Sequence, residues 1–428
     1  TPFQIHPTTK NVSVITLNSI PFYTDAANNS MYTHDVSATD NSAQNNTGYG
    51  FNTLQGITSG DNNTAIGKSA GGSLNTGHNN AILGAFAGDA LTSGQHNIAV
   101  GFGALSTETT GNKNVAVGHQ TLLFQEVQGD AFNVVVGFEA GKEVTSGVRN
   151  TLIGGLTGDA ITTGSDNVAL GYNSLTSNTI GNSNVAIGKD SMIANVAADR
   201  NVAVGLGTLQ NMTSATTTDT YNTAVGYAAG TAITSGVENT LIGGLSGDSL
   251  TTGQRNVAIG FEALTNEDTG SRNIAIGYQA LKTANYDGNA YNIAVGYGAG
   301  SAISTGQLNT LVGGLAGYNL STGHNNVAIG MQALENEDEH GYNVAVGVEA
   351  LQTLNAGANA FNVAVGFKAG HFLTAGTVNT LIGGNAGDAL TTGSGNVAIG
   401  HMALSGEDAH GHNVAIGFQT LANQNAGA

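Results

Sequence analysis

The sequence predicts an all-β fold, a β-solenoid with about 17 residues per coil, and three observations predict it. A short phrase, N-x-A-[IVL]-G, recurs at near-constant spacing through most of the chain. The phrase alternates β-branched and small residues, a strand pattern rather than a helical one. Glycine, 64 of 428 residues, falls at fixed places in each period, where a coil must turn corners. Seventeen residues are too few for a helix–turn–helix repeat, and the lack of a strict G-X-Y period excludes collagen.

The first 45 residues lie outside the pattern. They are read as a capping or attachment segment, because the first coil of a solenoid exposes an edge that must be blunted. Within it, Val12–Leu17 (VSVITL) is expected to be a strand and the polar remainder a loop. The array, 46–428, opens on a degenerate copy, NTGYG at Asn46, and 21 copies follow from Asn63. The spacing is 17 residues, except for 19 before Asn133, Asn292 and Asn362 and 21 before Asn222. Insertions at fixed places in a repeat mark surface loops. Some 22 coils stacked about 4.8 Å apart give a rod on the order of 100 Å long. The closing LANQNAGA matches the start of LNAGANAFN at Leu354, so the array is expected to continue past Ala428.

We number each coil from its motif Asn as position 1. Glycines at positions 5 and 15 are expected to take positive φ at the corners. Some coils carry Leu or Met at position 9, as at Leu105, Leu175, Met192 and Leu264; others carry Gly there and an aliphatic residue at position 12, as at Gly141 with Val144 and Gly247 with Leu250. Large residues at 9 and 12 are therefore expected to exclude each other from one interior volume. The two coil types come mostly in pairs, a super-period of four coils, and the NTLIGG phrase at Asn239 returns near-identically at Asn309 and Asn379, 70 residues apart each time. Duplication of a four-coil block accounts for this.

The recurring Asn (Asn63, Asn97, Asn114, Asn167, Asn184, Asn201, Asn256, Asn273, Asn326, Asn343, Asn396 and Asn413) is expected to form a structural ladder, bonding coil to coil and capping a corner. In N-V-A-I-G, Val and Ile point one way and Asn, Ala and Gly the other. If one set fills the interior, the other makes an apolar stripe too large for a soluble monomer to expose, which points to an in-register homo-oligomer.

Little in the sequence suggests chemistry. The net charge of −18 disfavours nucleic acid. With no cysteine there are no disulfides and no cysteine zinc sites. No apolar run is long enough to span a membrane. There is no nucleophile elbow, Walker loop or HExxH motif, so neither catalysis nor a cofactor is expected. The pairs Glu267–Asp268, Glu337–Asp338 and Glu407–Asp408 recur at one place in the coil and are read as a solvated charged corner. His410 and His412 have the one metal-like spacing; the matching corners hold Thr269–Ser271 and His340–Tyr342, so they are read as variable surface positions and no metal is expected, the alternative being a trimer that offers six imidazoles to an ion on its axis. Aromatics after the motif glycine, such as Phe102, Phe138, Tyr172, Phe261, Tyr278 and Tyr297, are read as packing on the next coil, with sugar binding as the alternative.

The N-x-A-[IV]-G coils resemble the head repeats of trimeric autotransporter adhesins, although those coils are shorter. The longer NTAIG…AL…TG cassette resembles repeats of phage and other viral tail-fibre proteins more closely. The resemblance covers Asn46 to Ala428 and implies a parallel homotrimer, an extracellular location on a virion, and a role in host attachment. Its partners would be copies of itself, other virion tail proteins and a host glycan or receptor, without nucleic acid or membrane insertion. The expected function is therefore the shaft of a tail fibre or similar virion appendage. A bacterial surface adhesin is the alternative, and a carbohydrate-binding or glycosidase tailspike a third.

Overall fold

The structure, a computed structural model, describes residues 12–17, 20–25, 28–34, 36, 39–40, 42–214, 216–406 and 408–423. The chain forms two units, Thr1–Asp219 and Thr220–Ala428. Each is a parallel β-solenoid whose coil strands are three residues long, the x-A-[IVL] of the motif. Successive strands pair in register: in the first unit Val168, Ala169 and Leu170 meet Val185, Ala186 and Ile187, and in the second Val257, Ala258 and Ile259 meet Ile274, Ala275 and Ile276. Among the described residues no helix is long and apolar enough to cross a membrane.

The first coil is met by more strand than the sequence suggests. β1 (Val12–Leu17) pairs antiparallel with β2 (Ile20–Asp25), and β2 with β3 (Ser30–Tyr32), so the segment read as a loop carries two further strands. β3 then runs parallel to β4 (Thr47–Tyr49) and takes the place of a preceding coil. Ser30 Oγ accepts the Asn46 N–H at 3.0 Å, the bond that an Asn side chain receives elsewhere in the array. The Tyr32 ring is buried beneath the first coil, its phenol pushed up to about 12 mainly by that burial. It also accounts for the degenerate motif: a Cβ on Gly48, where other coils have Ala, would lie 3.0 Å from the ring.

Within a coil strand the middle residue is buried and its two neighbours are half-buried or exposed. The interior is therefore lined by Asn at position 1 and Ala at position 3, while the Val, Ile and Leu of positions 2 and 4 face outward. Gly at position 5 turns the corner with φ from 126° (Gly417) to 148° (Gly137), and an added Cβ would collide with the next coil's backbone, 2.0 Å from a carbonyl oxygen at Gly118. Position 15 departs from the expectation. Gly77 and Gly253 lie outside the left-handed region, and what they supply is a missing Cβ, which would stand 2.3 and 2.4 Å from the carbonyl of the coil above. The left-handed corners fall at positions 7, 9 and 17, and ordinary side chains hold them: Gln120 (φ 50°), Leu105 (φ 55°) and Arg149 (φ 57°). Each such residue costs about 1–2 kcal/mol in isolation. Coil-to-coil hydrogen bonds offset it, as from Gln120 N–H to Phe102 C=O (2.8 Å) and Arg149 N–H to Ala131 C=O (2.8 Å).

The Leu switch has a wider cause than competition between positions 9 and 12. A Cβ on Gly247 would lie 2.8 Å from Leu250 Cδ1 at position 12, and also 2.9 Å from Leu241 Cδ2 at position 3 of the same coil. Leu241 replaces the usual Ala, as do Leu152, Leu311 and Leu381. Leu152, Leu311 and Leu381 each lean over position 9 of their own coil and of the coil before: Leu311 would meet a Cβ on Gly317 at 2.9 Å and on Gly300 at 2.7 Å. One Leu thus requires two successive glycines, which is why the coil types come in pairs. The strict 9–12 exclusion does not hold. Leu351 and Leu354 are both fully buried, as are Leu209 and Met212. Both pairs sit in coils lengthened by insertions, which have room for two large residues.

This packing predicts a compensated pair. Gly247→Leu alone should lower stability by about 1–3 kcal/mol through overpacking. Adding Leu250→Asn, which copies the Leu175–Asn178 arrangement, should restore part of the loss in denaturant unfolding, with a clear departure from additivity.

Candidate functional site

Three features could carry function: the buried polar ladder, the interior corner at position 12, and the outward strand face with its rims. In the ladder each Asn is placed by the corner that precedes its strand. Its Oδ1 accepts the N–H of the next Asn: Asn63 from Asn80 (3.0 Å), Asn97 from Asn114 (3.0 Å), Asn167 from Asn184 (3.0 Å), Asn184 from Asn201 (3.1 Å) and Asn256 from Asn273 (2.9 Å). Asn326 and Asn396 likewise accept from Asn343 and Asn413 (3.0 and 2.9 Å). Its Nδ2 donates fourteen residues ahead to the carbonyl of position 15, as from Asn256 to Gly270 (2.8 Å), Asn326 to His340 (3.1 Å) and Asn396 to His410 (3.2 Å). In the lengthened coils the insertion removes that carbonyl. Asn114 then donates back to Asn97 Oδ1, and Asn273 Nδ2 is buried without a partner among the described residues. All the ladder residues named except the half-buried Asn413 are fully enclosed.

The paired carboxylates are not a solvated corner. Glu267 and Glu337 are fully buried at position 12, together with Glu108, which the sequence pattern did not single out. Glu407 lies outside the described residues, and its neighbour Asp408 is exposed. In an ordinary coil the N–H groups of positions 13 to 15 converge on one carbonyl above, as Thr145, Ser146 and Gly147 do on Thr162 (2.9, 3.2 and 3.2 Å). The coils carrying Glu108, Glu267 and Glu337 each lie immediately before a 19-residue coil. There the inserted residues displace the acceptor, and the carboxylate replaces it. Glu108 Oε1 accepts from Thr110 and Gly111 N–H (3.0 and 2.6 Å), and Oε2 from Gln125 Nε2 and Val127 N–H (3.0 Å each). Glu267 accepts from Gly270 and Tyr286 N–H (2.7 and 3.4 Å). Burial holds the Glu267 carboxyl above the ordinary glutamate value, against the lowering effect of those N–H donors. Asn178 and Asn195 perform the same capping with amides.

The outward face consists of positions 2 and 4, an aliphatic double column in each unit; Leu83, Ile98 and Leu170 are 45%, 41% and 44% exposed. It is rimmed at position 17 by charged and aromatic side chains such as Arg149, Glu238 and Tyr342, interspersed with Asn, Ser, Leu and Val. All four arginines of the chain (Arg149, Arg200, Arg255 and Arg272) occupy that position. They pair along the column, as Arg149 does with Asp166 (2.6 and 2.8 Å) and Arg255 with Glu238 (2.6 Å). The lengthened coils end there in a ring, Phe132, Tyr291 or Phe361, met by Lys113 (4.9 Å), Arg272 (5.3 Å) or Tyr342 (5.0 Å) from the coil before. The aromatics of position 6 stack coil on coil: Phe102–His119–Phe138 at 5.4 and 5.2 Å, and Phe261–Tyr278–Tyr297 at 5.9 and 5.2 Å.

His412 stands at position 17 with φ 62°, and the carbonyl of His410 receives Asn396. Among the described residues the one group of three His, Asp or Glu donors within reach of a common ion is Glu337, Asp338 and His340, so His410 and His412 form no such group. No protein-family model, curated protein or solved structure matches the chain.

Two outcomes test this chemistry. Asn256→Ala should cost about 2–4 kcal/mol, because it strands the Asn273 N–H and the Gly270 carbonyl in the interior; chemical unfolding measures it. The raised Glu267 carboxyl favours the folded state when protonated. Its contribution is therefore present below the ordinary glutamate value and lost as pH rises through the raised one. The thermal midpoint should fall as pH rises above the ordinary glutamate value, and Glu267→Gln, neutral throughout, should flatten that slope.

Proposed function

We propose that the chain is a structural, non-catalytic shaft segment of a fibrous virion appendage such as a phage tail fibre, assembled as a parallel, in-register homotrimer that helps reach a host surface. The observation that carries the oligomer is the outward double column. Its aliphatic side chains expose on the order of 100 Å² per coil, or roughly 1,000 Å² over a dozen coils, more than a soluble monomer usually leaves in one patch and enough for a stable interface. A second copy of the chain is the partner that fits. The column repeats every coil, so only a surface of the same period can cover it without a growing mismatch. A copy of the chain supplies that period, together with a matching rim of arginines and carboxylates at position 17. The attachment role rests on the resemblance of the N-x-A-[IV]-G cassette to viral fibre repeats. The distribution of the buried carboxylates fits a shaft as well: Glu108, Glu267 and Glu337 recur by repeat at one position of the coil as backbone caps.

Light scattering on purified protein should give three times the 42.9 kDa chain mass. A monomer at micromolar concentration sinks the trimer. Ile242→Asp with Ile259→Asp, both outward-facing, should dissociate the assembly while leaving the β circular dichroism of the coils. Antibodies against the segment should label virions; labelling of bacterial cell surfaces, or binding of one glycan class by the segment alone, would replace the shaft reading.

A further inference from the structure

We propose that Glu337, Asp338 and His340 form a binding site for a divalent transition-metal ion of the zinc type. Their donor atoms lie within 4.8 Å of one another. His340 Nδ1 is 3.6 Å from Glu337 Oε1, too long for a hydrogen bond, and it is shielded from solvent with no hydrogen-bond partner. A buried ring nitrogen without a partner beside a buried carboxylate is an unfinished arrangement if the role is structural. A shared cation completes it.

The corner is built to hold such an ion. Position 15 is Gly in most coils because the coil above leaves no space for a Cβ, but this coil lies below the 19-residue coil at Asn343. Equivalent corners below the other 19-residue coils keep Gly111 and Gly270; here the position is a histidine. The carboxylate is fixed by His340 N–H on Oε1 (3.2 Å) and Ala356 N–H on Oε2 (3.3 Å), so each oxygen keeps a lone pair. Asp338 is pinned through its backbone carbonyl, which accepts the N–H groups of Ser321 (2.6 Å) and Thr322 (3.2 Å). The Glu337 carboxylate and the backbone that carries Asp338 are thus held in place before any ion arrives. Two carboxylates and a neutral imidazole balance a divalent charge, and among the described residues no lysine or arginine ion-pairs with either carboxylate. One nitrogen and two oxygens suit Zn²⁺, Co²⁺ or Ni²⁺ better than the all-oxygen preference of Ca²⁺ or Mg²⁺.

The test is calorimetric titration of the full chain with ZnCl₂ after exhaustive chelation, compared with His340→Gly. That variant restores the residue found at Gly111 and Gly270, so it is expected to fold, and circular dichroism checks that it does. Wild type should take up one more equivalent of Zn²⁺ per chain than His340→Gly, and Asp338→Asn should weaken that equivalent at least tenfold. Equal uptake by wild type and a folded His340→Gly overturns the site. Occupancy by Ca²⁺ or Mg²⁺ in preference to Zn²⁺ overturns the assigned metal class.

Discussion

The structure depends on one constraint: whatever a coil cannot satisfy internally must be satisfied by the complementary group at the matching place in the adjacent coil, one period away. A three-residue strand cannot stand alone, and its N–H and C=O groups find partners only above and below. Strict register follows, because a one-residue slip would send Asn outward and Val inward along a whole strand. The Asn ladder enforces this register from inside. Its Oδ1 receives the next Asn, and its Nδ2 ties strand to corner, so each rung joins two coils and two sides of one coil. The tight approach of coil to coil then dictates the glycines of positions 5 and 15, one for its φ and both for the missing Cβ.

Where the period is broken, the sequence compensates one coil earlier. A 19-residue coil lifts away the carbonyl that should receive the N–H groups of the coil below. Unpaired in the interior, those groups would cost about 1–3 kcal/mol each. Glu108, Glu267 and Glu337 supply the missing acceptors, and a carboxylate serves because its two oxygens can accept from both coils at once. The desolvation cost shows in the raised Glu267 and Glu337 carboxyls. Insertion and buried acid are therefore one device, and its recurrence fits duplication of a multi-coil block better than independent origin at each coil.

Much of this was legible in the sequence. The period gave the coil and the alternation gave the strand. The invariant Asn suggested a structural ladder before its bonds were visible. What was not legible was direction and depth. Glu267–Asp268 looks like a charged corner because sequence does not show which of two adjacent acids turns inward; the decisive sign was that each Glu precedes a 19-residue coil. The pairing of coil types looked like competition between positions 9 and 12. The residue responsible is the Leu that stands at position 3 in place of the usual alanine, as Leu152 and Leu311 do; it acts across two coils and so lies outside any single-coil comparison. The strands at Ile20–Asp25 and Ser30–Tyr32 were hidden by polar composition, since they pair at the end of the array and have no repeat to reveal them.

The interior and the exterior follow different rules. Inside, every coil obeys the same volume and hydrogen-bond constraints, so the residues repeat. Outside, position 17 varies among Asn, Ser, Asp, Glu, Lys, Arg, His, Leu, Val, Phe, Tyr and Gly, although its backbone is left-handed at nearly every coil. A conformation that costs energy and is held by the backbone alone does not select these side chains. They are chosen by what lies beyond the chain or by their neighbours along the column. The collection of every arginine at this one position, beside an uncovered aliphatic double column, is the composition of an interface rim, charged and aromatic around an apolar centre. The same division separates the corners at His340 and His410 from their glycine counterparts. The fold asks for no side chain there, so the imidazoles are the residues at those corners whose presence the solenoid itself does not explain.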